Sequence, residues 1–179
     1  MSTLFVNNLN TASGSTIQVA SGKTIHQPGS VLQVVTKTFG DQTTVTSSGT
    51  TYTDVTNGTI TITPKFNNSQ ILIIPNITIL IQESSDNYVY FGVRCLRGSS
   101  TVISPTLNTD GNGAYDYGIG FGNSGTRQYD HRITDHRIDT PATTSATTYK
   151  FQVINYSAGR TTTVNHTGGS TLLAMEIAV

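Results

Sequence analysis

Thr59-Ile60-Thr61-Ile62-Thr63 alternates a β-branched polar residue with isoleucine, and Tyr149-Lys150-Phe151-Gln152-Val153 repeats the alternation with larger side chains. An extended backbone sends successive side chains to opposite faces, so each stretch gives one apolar and one polar surface, as a strand lying on a core requires. Working outward from these two, residues 31–38, 50–55, 70–82, 88–96, 101–107, 115–121, 129–138, 161–164 and 171–179 read as further strands. Between them lie turn-forming clusters: Asn57-Gly58, Arg97-Gly98-Ser99-Ser100, Asp110-Gly111-Asn112-Gly113 and Ala158-Gly159. No stretch keeps an apolar period of 3.6. The pattern predicts an all-β, antiparallel two-sheet sandwich over residues 31–179. A jelly roll is expected rather than an immunoglobulin-like fold, because the strands are too many and a Cys…Trp…Cys signature is missing.

The composition agrees. The 179 residues suit one domain with a short extension. Hydrophobic residues make up 35% and charged residues 11%, where ordinary domains carry roughly 25% charge. Thr, Ser, Asn and Gly take the difference, and these are residues of pleated surfaces and turns. Ten basic residues balance ten acidic ones, so the chain lacks the basic field that draws nucleic acid or anionic membrane, and neither is expected as a partner. The single cysteine, Cys95, cannot form an intrachain disulfide and reads as a small buried hydrophobe. The start of the chain has no basic segment followed by a long apolar one, so no signal peptide is expected. The longest apolar run, residues 71–81, is broken by Pro75, Asn76 and Thr78 and is too short to span a bilayer, which predicts no membrane insertion.

Residues 1–30 read differently. Ser13-Gly14-Ser15-Thr16-Ile17-Gln18-Val19 is echoed by Ser21-Gly22-Lys23-Thr24-Ile25-His26-Gln27, and such short units bury too little to be stable alone. An attachment and oligomerisation arm is expected here, with Leu4, Val6, Leu9, Ile17, Val19 and Ile25 as its contact positions. Pro28-Gly29 marks its end. The closing run, residues 170–179, finishes inside an apolar strand without a charged tail, so that end should be tied into a sheet or an interface. Closed symmetry is the usual way to cover such surface, and a homotrimer is expected.

Few residues suggest chemistry. Gly120-Phe121-Gly122-Asn123-Ser124-Gly125 has the GxGxxG spacing, but a strand rather than a helix is expected after it, so it reads as a loop. Asp110-Gly111-Asn112-Gly113 with Asp116 lacks the alternating carboxylates and final Glu of an EF-hand, so it reads as a turn. The densest polar run is Asp130, His131 and Arg132, repeated as Asp135, His136 and Arg137. On one strand, His131 and Asp135 would stand on the order of 13 Å apart, too far to share a metal. Copies of His131 or His136 meeting at a symmetry axis could hold an ion, but ion pairs across strands or between subunits are the preferred reading. No GxSxG elbow, HExxH motif or P-loop is present, and the acidic residues are too scattered to nominate a glycosidase pair. Neither an enzyme nor a cofactor is expected. Tyr115, Tyr117 and Tyr129 form a possible receptor-facing group able to stack on host-surface glycan in a chain without tryptophan.

The chain resembles small structural proteins of marine and freshwater tailed bacteriophages, often labelled tail-fibre-like. The resemblance lies in residues 4–9, 21–25, 28–35, 69–73, 96–99 and 172–177, and above all in Asp139-Thr140-Pro141-Ala142-Thr143-Thr144-Ser145-Ala146-Thr147-Thr148-Tyr149-Lys150. It implies a jelly-roll head on an N-terminal arm, assembled as a trimer at the virion surface after synthesis in the host cytoplasm. Two roles follow from it, with phage capsid or tail proteins as partners. One is a capsid decoration (cement) protein clamped to coat subunits. The other is a short tail fibre or spike head that binds a receptor.

Overall fold

Ile71, Ile73, Ile77, Ile79 and Ile81 occupy alternate positions of one run, and none of them is exposed. In the computed structural model, which describes residues 27–46, 51–83, 89–103, 116–119, 127–155, 161–166 and 168–179, that run is a single strand, β4 (Gln70–Glu83). Its first sheet also contains β1 (Val31–Phe39), β2 (Thr43–Val45), β8 (Arg127–Thr134), β9 (Arg137–Asp139), β11 (Thr161–Val164) and β12 (Ser170–Ile177). The second sheet contains β3 (Thr53–Ile62), β5 (Val89–Arg97), β6 (Thr101–Val102), β7 (Asp116–Ile119) and β10 (Thr147–Asn155). All pairings are antiparallel.

Several of these strands are halves of one line. β11 and β12 follow one another along one edge of β4, while β8 and β9 follow one another along its other edge. β1 and β2 run in the same way beside β12 and β11, and β6 and β7 share the outer edge of β5. Counting lines in chain order gives eight. The first sheet is ordered 1-8-3-6 and the second 2-7-4-5, which is the jelly roll: two interleaved Greek keys closed into a sandwich. The strand ends Val45, Thr53, Glu83, Val89, Ile119, Arg127, Asn155 and Thr161 lie at one end of the sandwich. The opposite end gathers residues 27–30, 63–69, 98–100, 140–146 and the last residues of the chain.

Pro75 sits inside the central strand without costing a ladder bond. Thr78 turns both backbone groups to the β11–β12 side, its N–H to Ser170 Oγ at 3.0 Å and its carbonyl to the Asn165 N–H at 2.9 Å. Pro75, an odd number of residues away, faces the β8–β9 side, where its carbonyl accepts from the Asp135 N–H at 3.4 Å. The missing N–H therefore falls at the gap between β8 and β9.

The alternation in residues 59–63 and 149–153 does face a core: Ile60, Ile62, Tyr149, Phe151 and Val153 are buried with the β4 isoleucines. Threonines do the cross-strand work in a chain so short of charge. Thr61 and Thr148 hydroxyls meet at 2.8 Å, Thr44 and Thr163 at 3.1 Å, and Thr43 bonds Thr56 across the two sheets at 3.0 Å.

Two sequence expectations are corrected. Asn57-Gly58 is not a turn between two strands: it is a bulge within β3, where the register against β10 slips between Lys150 and Gln152. Asn57 takes a left-handed φ of 57°, and a Cβ on Gly58 would lie 2.8 Å from the Val55 side chain, so only glycine fits. Residues 129–138 are not one strand either, because Asp135 and His136 interrupt it. β2 lies in a stretch not read as a strand from the sequence.

Pro28-Gly29 forms the expected turn. The Ser30 N–H donates to the Gln27 carbonyl at 2.9 Å, and Gly29 has φ 82°, the type II pattern with Pro and Gly at the two central positions. The chain's last strand is tied in as expected: Gly29 N–H donates to Ala178 O at 2.8 Å and Ala178 N–H to Ser30 O at 2.9 Å. The arm residues Leu4, Val6, Leu9, Ile17, Val19 and Ile25 lie outside the described residues.

Glu176 is wholly buried and fixes the crossing from β3 to β4. Its carboxylate accepts from the Lys65 N–H at 2.7 Å, the Phe66 N–H at 3.3 Å, Ser69 Oγ at 2.7 Å and Gln33 Nε2 at 2.6 Å. Burial alone would raise its pKa, but these donors outweigh it and hold the carboxyl below its ordinary value. The unfolded chain then takes up the proton first on acidification. Stability from this group is complete above the ordinary glutamate range near 4.3 and is lost as pH falls through the lower folded value. Glu176→Gln is expected to cost about 1.5–3 kcal/mol in urea unfolding at neutral pH and to flatten the acid limb of the stability profile.

Candidate functional site

The polar run on β8 and β9 is the most chemically dense feature among the described residues, and alternation decides where each side chain goes. Asp130, Arg132 and His136 are exposed on the outward positions, while Ile133 and Arg137 turn inward and are buried. His131, opposite Ile79 on an inward position, is nevertheless exposed, and Asp135 is half-buried. His131 and His136 point to opposite sides of the line, so a single chain does not bring them together.

What the break between β8 and β9 brings together is Asp135 and Arg137. Their carboxylate and guanidinium pair directly, Arg137 Nη1 donates to the His136 carbonyl at 2.9 Å, and the His136 N–H donates to Asp135 Oδ1 at 2.6 Å. Arg132 instead reaches Asn76 Oδ1 at 3.0 Å across the strand pair. The expected ion pairing across strands is thus local at Asp135 and Arg137.

Arg137 enters a cleft between the sheets lined also by Pro75, Ile77, Val93, Cys95 and Phe151. There is room in it for no more than about one water, so it is a solvated end of the core rather than a ligand pocket. Burial pushes the Cys95 thiol up to about 12, and a thiol held protonated is a poor nucleophile and a good packing group.

A stronger polar contact joins the two sheets nearby. Asp139 on β9 receives Arg97 Nη1 from β5 at 2.8 and 2.9 Å and the Tyr149 hydroxyl from β10 at 2.8 Å. Tyr149 is fully buried. Desolvation, reinforced by the adjacent Asp139 carboxylate, pushes its phenol well above the ordinary tyrosine value, so it remains a donor. On the outer side of the second sheet, Arg94 Nε donates to Gln152 Oε1 at 2.7 Å, Gln152 bonds Asp54, and Lys150 Nζ lies 3.0 Å from the same carboxylate. The Gln152 bond, then Lys150, lowers the Asp54 pKa, and Arg94 covers the Tyr52 ring at 3.8 Å. Sequence reading missed both networks. The one available signal was scarcity: in a chain with few charges, Asp139, Arg97, Asp54 and Lys150 should each have a fixed partner.

Of the tyrosines, Tyr117 falls on β7 opposite Phe91, and Tyr129 is half-buried on β8 opposite Ile81. Tyr115, Gly120–Gly125 by number and the Asp110–Gly113 turn lie outside the described residues. Among the described residues no three His, Cys, Asp or Glu side chains gather as a metal site would require.

No family model and no curated protein matches the chain. Solved structures of infectious bursal disease virus do. The Gx strain structure is 14% identical with a TM-score of 0.34, and the Gt strain structure is 13% identical with a TM-score of 0.39. Each match covers 92% of this chain and 42% of the other, so the chain spans about two fifths of the length of those viral chains. The jelly roll itself is established by the strand order described above.

The inter-sheet clasp sets an expectation. Asp139→Ala should cost about 2–4 kcal/mol, because it strands a partly buried guanidinium and a buried hydroxyl. Tyr149→Phe should cost about 1–2 kcal/mol, and a double-mutant cycle of the two should show coupling in chemical denaturation.

Proposed function

We propose that this chain is a non-enzymatic, homotrimeric structural protein on the outer surface of a tailed-phage virion, serving as a capsid decoration protein whose N-terminal arm clamps onto coat subunits. The observation that carries the reading is the 1-8-3-6 and 2-7-4-5 sandwich with a filled interior. Jelly rolls serve as viral capsid, lectin and cupin domains. A cupin-like or ligand-carrying reading needs space between the sheets, and here that space is taken by Ile, Val, Phe and Tyr side chains. What remains is a rigid block whose outside does the work.

The polarity of the block fits attachment. Gln27, where the proposed arm would join, lies at the end where the C-terminus and Glu176 are fixed, while the strand ends Glu83, Ile119 and Asn155 lie at the far end. With the arm on the particle, that far end faces outward. The same polarity supports a second reading, a short tail fibre or spike head, whose outward end would then face the host surface.

Immunogold labelling of intact particles separates the two. Decoration predicts label spread over the whole shell; label confined to the tail would overturn it in favour of the spike. The native mass of the full chain is expected at three chains, and a single-chain mass would remove the trimer from either reading.

A further inference from the structure

On the outer side of the first sheet, one cross-strand row is apolar from edge to edge: Val34 faces Met175, Met175 faces Leu72, and Leu72 faces Ile138. The inward neighbours in each line, Val35, Ala174, Ile73 and Arg137, belong to the core or its margin, so the row points away from it. Val34 is 49% exposed and Ile138 56%. Leu173 and Ile74 continue the surface on one flank, and Val31 and Ile177 on the other. Farther along the same face the character changes: Asp130 and Arg132 line it, and Leu80 is buried. Val31, Val34 and Ile138 are all more than two fifths exposed, so the row leaves a contiguous apolar surface open to solvent among the described residues.

The patch begins where the leading segment joins, since Val31 follows the Gly29–Ala178 and Ser30–Ala178 bonds directly. Residues 1–26 match it in chemistry. They contain no Asp, Glu or Arg and a single Lys, and their apolar positions Leu4 and Val6, Ile17 and Val19 alternate as a strand-like segment on an apolar face would need. The length of this segment lets it reach the face of a neighbouring subunit. Crossing the row takes three strand spacings, about 15 Å, whereas 26 extended residues reach on the order of 85 Å. That is roughly twice the breadth of a domain of this size.

Resting on the trimer reading above, we infer that the apolar face formed by Val34, Met175, Leu72 and Ile138 is the seat for residues 1–26 of a sister subunit, so that arms exchanged in one direction close the ring. Each contact joins two different surfaces, and such heterologous contacts close into rings when the rotation allows. The arm residues left beyond the seat remain to reach other virion proteins.

The test compares native mass and far-ultraviolet circular dichroism for the full chain, the face variants Val34→Asp and Ile138→Asp, and the arm variant Ile17→Asp with Ile25→Asp. The face positions are solvent-exposed, so the β spectrum should survive; Val34→Ser is the milder substitute if it does not. The expected result is a three-chain wild type with the face and arm variants each reduced to single-chain mass. Mixing an arm variant with a face variant should restore a two-chain species, one intact arm on one intact face. Loss of the trimer in face variants alone would show that the face meets something other than the arm, and loss in the arm variant alone would show that the arm seats elsewhere; either overturns the inference. A trimer that survives every variant overturns it too while leaving the trimer reading intact, whereas a single-chain wild type brings down both.

Discussion

The hydrogen-bonded pairing of β4 along both of its edges is the constraint on which the rest depends. Every other line of the first sheet is either a neighbour of this strand or, in the case of β1 and β2, a neighbour of its neighbour. Its inward side supplies five fully buried isoleucines, and its outward side supplies Leu72 and Ile74 to the exposed apolar surface. A strand bonded on both sides cannot shift by one residue without exchanging its two faces, so the register of β4 sets the register of the sandwich. Pro75 fits only because the break between β8 and β9 stands opposite its missing N–H, which makes that break part of the design rather than an irregularity.

Around that strand, charged residues are few, and the buried carboxylates are committed. Glu176 holds the crossing between sheets at one end, Asp139 clasps the second sheet through Arg97 and Tyr149, and threonine hydroxyls bridge neighbouring strands. With no disulfide to limit the unfolded chain, stability rests on this burial and pairing. A buried carboxylate with four donors also specifies one arrangement over its alternatives, because any other placement of Glu176 would leave it unsatisfied.

How much of this was legible in the sequence varies by feature. The strand content and the sandwich were readable because apolar alternation survives in β3, β4 and β10 regardless of partner. The bulge at Asn57 was not, since Asn-Gly carries the same local signature in a hairpin turn and in a bulge, and only the partner strand β10 distinguishes them. The Asp130–Arg137 stretch by number looked like one strand for the same reason: nothing local reveals that Pro75, more than fifty residues earlier, needs a gap opposite it. The clasp on Asp139 joins three residues from three strands, a proximity that exists only after the sheets have stacked. The apolar row on the outer face was invisible for a related reason, because its four members come from four separate lines.

Among the described residues the space between the sheets is filled by core side chains, and the proposed function rests on that packing. The Pro28-Gly29 turn, the C-terminus and the exposed apolar row lie towards one end of the block. All of it presupposes that β4 is the most strongly held strand in the molecule. Hydrogen–deuterium exchange on the native protein measures this directly, since amides that open only on global unfolding exchange last. The account predicts that amides of residues 71–81 are the slowest in the chain, behind the edge strands β1 and β8; exchange of β4 together with or ahead of those edges would contradict it.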